Sequence, residues 1–210
     1  MDDAIGKDGL AALQHVQDWR NLLDEACDGS MLRASPWHGE MHWRAVGAVG
    51  LEIARRRPLV DAGVVLAFAM IHDARRENED YDPEHGLRAM RLAVSSKTLR
   101  LILSADRISH LADACLMHEK GEVDRRNPTI GACWDADRYN LLRLEIDPLP
   151  QLLSSGFDET EHAEVCAFAD RAWRNPPEWS QMVAAILSGD YATSPLLPST
   201  SGVHLAGPGG

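Results

Sequence analysis

The chain has 210 residues, enough for one globular domain with a full core, and no apolar run approaches the roughly eighteen residues needed to span a bilayer. Apolar residues make up 45% and charged residues 25%, ordinary values for a folded globular chain. A formal net charge of −11 argues against nucleic-acid polymers and anionic membranes as partners. The start, MDDAIGKDGL, lacks the basic-then-apolar pattern of a signal peptide, so a cytoplasmic location is expected. Cys27, Cys115, Cys133 and Cys166 form no metal-knuckle spacing and read as small apolar residues.

Almost every segment reads as helix. Leu10, Leu13, Val16, Trp19 and Leu23 recur at helical spacing between about Gly9 and Ala26. Ser35-Pro36 predicts the start of a second helix that runs to Arg57, before Pro58. Val60 to Ile71 is apolar nearly all round and predicts a buried central helix. Asp82-Pro83 predicts an N-cap and first turn for a helix over residues 83–94. Further helices are expected over 96–103, 106–118, 129–144, 159–174 and 178–187. No alternating run is long enough to propose a sheet, so the fold class expected is all-α. Residues 1–34 form a helix packing on the core, 35–145 the core itself, 146–188 helices completing it, and 189–210 a flexible tail.

Ionisable residues on apolar faces carry the functional signal. His72 and Asp73 end the most apolar helix, where an imidazole and a carboxylate are costly to bury unless paired or bound to a cation. His42 lies in a stripe with Val46, Val49 and Ile53, and His118 in one with Ile108, Leu111 and Cys115. Ile130, Trp134, Asp137, Leu141 and Leu144 form a third stripe. Any one of these groups alone is more often a hydrogen-bonded core residue than a ligand. Several apolar faces presenting His or Asp together point to a shared cation, and nitrogen with carboxylate oxygen suits Mn, Fe, Co, Ni or Zn. Asp135 and Asp137 stand about 200° apart on a helix. The apolar stripe selects Asp137, leaving Asp135 an outer or surface role with Arg138.

The ordered set His42, His72-Asp73, Asp137 resembles the H…HD…D signature of the HD superfamily of metal-dependent phosphohydrolases. Val46, four residues after His42, and the segment Ala136-Asp137-Arg138-Tyr139 are similar to that family's local patterns, with Tyr in place of Leu. SPWHGEMHW, HDARREN, DPEHG and TIGACWDADR look like a group of small bacterial members. The resemblance covers about residues 35–145 and implies a helical bundle converging on the metal. It also implies that His85 and His118 can join the ligand set, giving one or two ions per chain, with Asp73 bridging in the two-ion form.

What the resemblance implies chemically is a hydrolase that attacks a small phosphate ester, a nucleotide among the candidates, with a metal-activated water. Arg76, or Arg75 beside it, then clamps phosphate, Glu77 serves as general base one turn from Asp73, and His38, one turn before His42, orients the site or touches substrate. A minority of HD proteins are di-iron oxygenases with six ligands, and His42, His72, Asp73, His85, His118 and Asp137 supply that order. Such enzymes grip substrate with lysines, and Lys7, Lys97 and Lys120 are the only three here. The partner expected is a small phosphorylated molecule, and a homodimer is left open. His15, His110, His162 and His204 fit no converging pattern.

Overall fold

A computed structural model of the chain describes residues 7–197, with side chains described from residue 11 onward. Among the described residues there are α-helices and short 3-10 turns and no strand, so the chain is an all-α bundle. Of the tail expected over 189–210, residues 198–210, with His204, lie outside the described residues, and Asp190–Ala192 form a 3-10 turn. No helix among the described residues is long and apolar enough to cross a membrane.

The helices in chain order are α1 (Lys7–Asp28), α2 (Glu40–Arg56), α3 (Ala62–Ile71), α4 (His85–Ser95), the single turn α5 (Leu99–Ile102), α6 (Ala105–Met117), α7 (Pro128–Tyr139), α8 (Glu159–Arg174) and α9 (Trp179–Ser188). The centre is α3. Its sequence AGVVLAFAMI has no polar face, and all ten residues are buried. Removing side chains such as Phe68 and Leu66 from water stabilises by about 1.5–3 kcal/mol each. Asp61 starts this helix by accepting hydrogen bonds from the Gly63 and Val64 amides.

Around α3 lie α2, α6 and α7, and α4 pairs with α6. Gly50 lets α2 cross α3 closely, since a Cβ there would fall 2.1 Å from Val65 Cγ1. On its other side α2 is tied to the C-terminal helices. Arg44 donates to the Pro176 and Pro177 carbonyls, Arg56 to Glu164, and Arg57 to Glu161. Residues 146–188 therefore complete the same core, and α1 packs on α3, α5 and α9.

Several element boundaries differ from the sequence expectation. The second helix begins at Glu40 rather than Ser35, because the Ser35 hydroxyl accepts from the Trp37 and His38 amides and turns the chain before Gly39 caps the helix. Asp82 does not cap α4; its carboxylate accepts from the Glu77 amide and from Arg88, and Glu84 takes the N-cap position. The helix expected over 129–144 ends at Tyr139 and tightens into a 3-10 turn over Asn140–Leu144, which leaves Leu144 exposed. The 96–103 helix shrinks to α5 because the Ser96 hydroxyl caps the Leu99 amide. All four cysteines are free thiols; Cys27, Cys115 and Cys133 are buried and Cys166 half-buried.

Candidate metal centre

Four elements meet around the end of α3. His72 caps α3, still in helical conformation with its amide donating to the Phe68 carbonyl, so His72 and Asp73 stand at the end of the buried helix. His42 comes from the first turn of α2, His85 opens α4, His118 follows α6, and Asp137 comes from the last turn of α7. His42, His72, Asp73, His85 and His118 are all buried.

The side chains form two groups that share one carboxylate. In the first, His42 Nε2 lies 3.2 Å from His72 Nε2, 3.8 Å from Asp73 Oδ2 and 3.3 Å from Asp137 Oδ1. In the second, His85 Nε2 lies 2.8 Å from His118 Nε2 and 3.5 Å from Asp73 Oδ1, with His118 Nε2 at 3.7 Å from the same oxygen. Ligands about 2.1 Å from a transition metal stand about 3.0–3.4 Å from one another, so both groups are spaced like coordination shells.

Hydrogen bonding fixes which nitrogen faces inward. His72 Nδ1 lies 3.2 Å from the Phe68 carbonyl, His118 Nδ1 lies 2.7 Å from the Cys115 carbonyl, and His85 Nδ1 meets the Asp82 carbonyl. A carbonyl only accepts, so each Nδ1 carries the proton and each Nε2 presents a lone pair to the centre. Metal-binding histidines are oriented in this way. Asp73 Oδ1 is buried with no hydrogen-bond partner, which burial tolerates poorly without a cation. The residues present therefore fit one or two divalent ions.

The charge states of His72, His85 and both carboxylates agree with that chemistry, while His118 would have to give up a proton to an incoming ion. Burial pushes His72 down to about 3, and burial also lowers His85. For His118 burial acts against the proton, but the Asp73 carboxylate outweighs it and raises the pKa. Burial opposes ionisation of Asp73 and Asp137, yet the surrounding imidazoles hold both carboxyls below the usual carboxylate range. Neutral rings and ionised carboxylates are the forms that bind metal.

The other expected residues separate into two kinds. His38 joins the cluster, with Nδ1 3.1 Å from Asp73 Oδ2. Arg76 also borders it, 3.9 Å from Asp73 Oδ1 and 3.3 Å from His85 Nδ1. Glu77 does not reach it. Because α3 ends at Ile71, Glu77 is not one helical turn beyond Asp73; its amide is held by Asp82, its carboxylate lies 3.5 Å from Arg88, and its side chain is 58% exposed. Arg75 turns away to the Glu25 and Ala26 carbonyls. Asp135 is fully buried rather than at the surface, accepting from the Ser154 amide and from the Ser155 amide and hydroxyl.

Three neighbours carried no sequence signal of their own. Asn140 Oδ1 lies 3.4 Å from His42 Nδ1, Glu119 Oε2 lies 3.3 Å from His85 Nδ1, and Arg143 donates to the Asn140 carbonyl. Asn140 stands three residues after Asp137, the spacing of neighbours on a helix face, which is the one pattern that could have found it.

No protein-family model matches the chain, and neither a curated protein nor a solved structure matches it.

Proposed function

We propose that this chain is a metal-dependent phosphohydrolase of the HD superfamily that cleaves a small phosphate ester, nucleotides being one candidate class. One observation carries the reading: the Asp73 carboxylate stands between two His-rich groups, one oxygen facing each. The ordered residues His42, His72, Asp73, His85, His118 and Asp137 would hold two ions of Mn, Fe, Co, Ni or Zn character. Such ions, when bound, activate water toward phosphorus and draw charge from phosphoryl oxygens. The protein's own residues do the rest. Backbone carbonyls at Phe68, Asp82 and Cys115 keep the rings aimed inward. His38 steadies Asp73 from the rim and is the imidazole placed to pass a proton to a departing oxygen, since its side chain remains 19% exposed. Arg76 supplies positive charge beside the second group.

The test is phosphate release from a panel of nucleotides and sugar phosphates by protein loaded in turn with Mn, Co, Fe or Zn. Release that disappears on chelation and returns with one metal is expected. Stoichiometric metal uptake with no release from any ester would sink the hydrolase reading.

A second reading, a di-iron oxygenase, is favoured by the full six-residue set, while the scarcity of lysine counts against it. Anaerobic purification yielding two irons per chain and a mixed-valent EPR signal would select it.

A further inference from the structure

We propose that Arg143, outside the ligand set, is the residue that grips the anionic end of the substrate at the open edge of the metal centre. The inference rests on the hydrolase reading for the identity of the anion, a phosphate group, but its geometry stands separately.

The cluster is closed on most sides. Side-chain exposure is 1% at His42, 0% at His72 and 5% at Asp73, against 24% at Asp137. A ligand therefore arrives on the side of Asp137 and His38, whose side chains are 24% and 19% exposed. After Asp137 the chain tightens from α7 into the 3-10 turn over Asn140–Leu144, which sets Arg143 against Asn140, the residue whose Oδ1 lies 3.4 Å from His42 Nδ1.

Its guanidinium is incompletely used. Nη1 donates to the Asn140 carbonyl at 2.8 Å, while Nε is buried with no partner. Other arginines near the cluster are committed. Arg75 serves α1 carbonyls, Arg138 serves the Leu152 and Glu122 carbonyls, and Arg76 spends Nε and Nη2 on the Asn78 and Asp80 carbonyls. Arg171 also has an unpaired Nε, but α8 carries it over the Phe168 ring. A buried N–H donor left unpaired is costly, and a guanidinium edge of this kind matches two oxygens of a phosphate.

Inorganic phosphate is the probe, titrated into the wild type, R143Q and R143K, each in metal-free and metal-loaded form. Loss of two charge-assisted hydrogen bonds predicts phosphate binding about 10–100-fold weaker in R143Q. R143K, which keeps the charge and loses the fork, falls between, and metal content and helicity stay at wild-type levels. Equal phosphate affinity in wild type and R143Q overturns the proposal. If R143Q fails to fold, R143K decides on the same criterion: affinity unchanged from wild type overturns it. A chain that takes up no metal defeats the hydrolase reading, while the comparison in metal-free protein still decides the role of Arg143.

Discussion

The Nε2 atoms of His85 and His118 stand 2.8 Å apart although both rings commit their Nδ1 protons to backbone carbonyls. Two lone pairs facing at that distance repel unless a proton or a metal ion lies between them. A metal ion bound here would therefore couple to folding. Each ion present at about a hundred times its dissociation constant adds about 2.7 kcal/mol of stability. Thermal unfolding with and without chelator checks this: the transition should fall on chelation and recover on adding Mn or Co. A transition that ignores chelator contradicts it.

Because Asp73 faces both groups, its removal should not cost one ion but two. Asp73→Ala is expected to leave metal content near zero. His118→Ala should halve it, since His42, His72 and Asp137 remain around the first position. Elemental analysis of the purified variants distinguishes these patterns. Equal losses in the two variants would argue for a single ion.

The parts of this architecture visible in the sequence are those that depend on local periodicity. The stretch from Ala62 to Ile71 is apolar on every face, so its burial follows without tertiary information. His42 shares a stripe with Val46, Val49 and Ile53, and all four are buried. The stripe also favoured Asp137 over Asp135 for the cluster, although it continued too far, since the helix stops at Tyr139. What stayed hidden depends on distant partners or on chain reversal. The burial of Asp135 is stabilised by Ser154 and Ser155, which no pattern around Asp135 announces. Glu119 meets His85, and Arg143 meets Asn140, from 3-10 turns, where neither helical nor strand spacing applies. The misplacement of Glu77 in the sequence reading has a related cause, since helical spacing counted from Asp73 fails once α3 has ended at Ile71.

That misplacement is itself testable. Glu77 faces Arg88 and solvent, so Glu77→Gln should change turnover of a phosphate ester by less than about 2-fold. His38→Gln, which alters the group steadying Asp73 Oδ2, should lower kcat about 10–100-fold with metal content retained. Steady-state kinetics on the two variants, with metal content measured in parallel, read the contrast. A large kcat loss in E77Q would restore Glu77 as the base.

Asp61 gives a prediction about acid stability away from the metal. It caps α3 and pairs with Arg107 through both oxygens. Burial opposes its charge, but Arg107 and the Val64 and Gly63 amides outweigh burial and lower its pKa in the folded chain. A carboxyl lowered on folding adds stability above its unfolded value of about 3.9 and loses it as pH falls through the folded value. Asp61→Ala should cost about 1–2 kcal/mol at neutral pH, and Asp61→Asn less because asparagine still caps. Denaturant titrations should show the gap between wild type and D61N narrowing below about pH 4. A gap that stays constant to pH 2 would exclude the ionic contribution.

Gly86 connects the packing of two helices to the second half of the metal centre. It follows His85 at the start of α4, and a Cβ placed there would lie 2.8 Å from the Cys115 carbonyl oxygen and 3.1 Å from that of Leu116. Both are backbone atoms at the end of α6, so no side-chain rotation relieves the overlap. The Cys115 carbonyl is also the acceptor that orients His118. Gly86→Ala must therefore push α4 away from α6 and draw His85 from His118, while the first group, built from α2, α3 and α7, is untouched. The expected result is loss of about 1–3 kcal/mol of stability and of one ion in two, with the ion held by His42, His72 and Asp137 retained. Metal analysis and thermal unfolding of G86A test both halves of this expectation, and full metal content in a folded G86A variant would mean that the close approach of α4 and α6 does not set the second position.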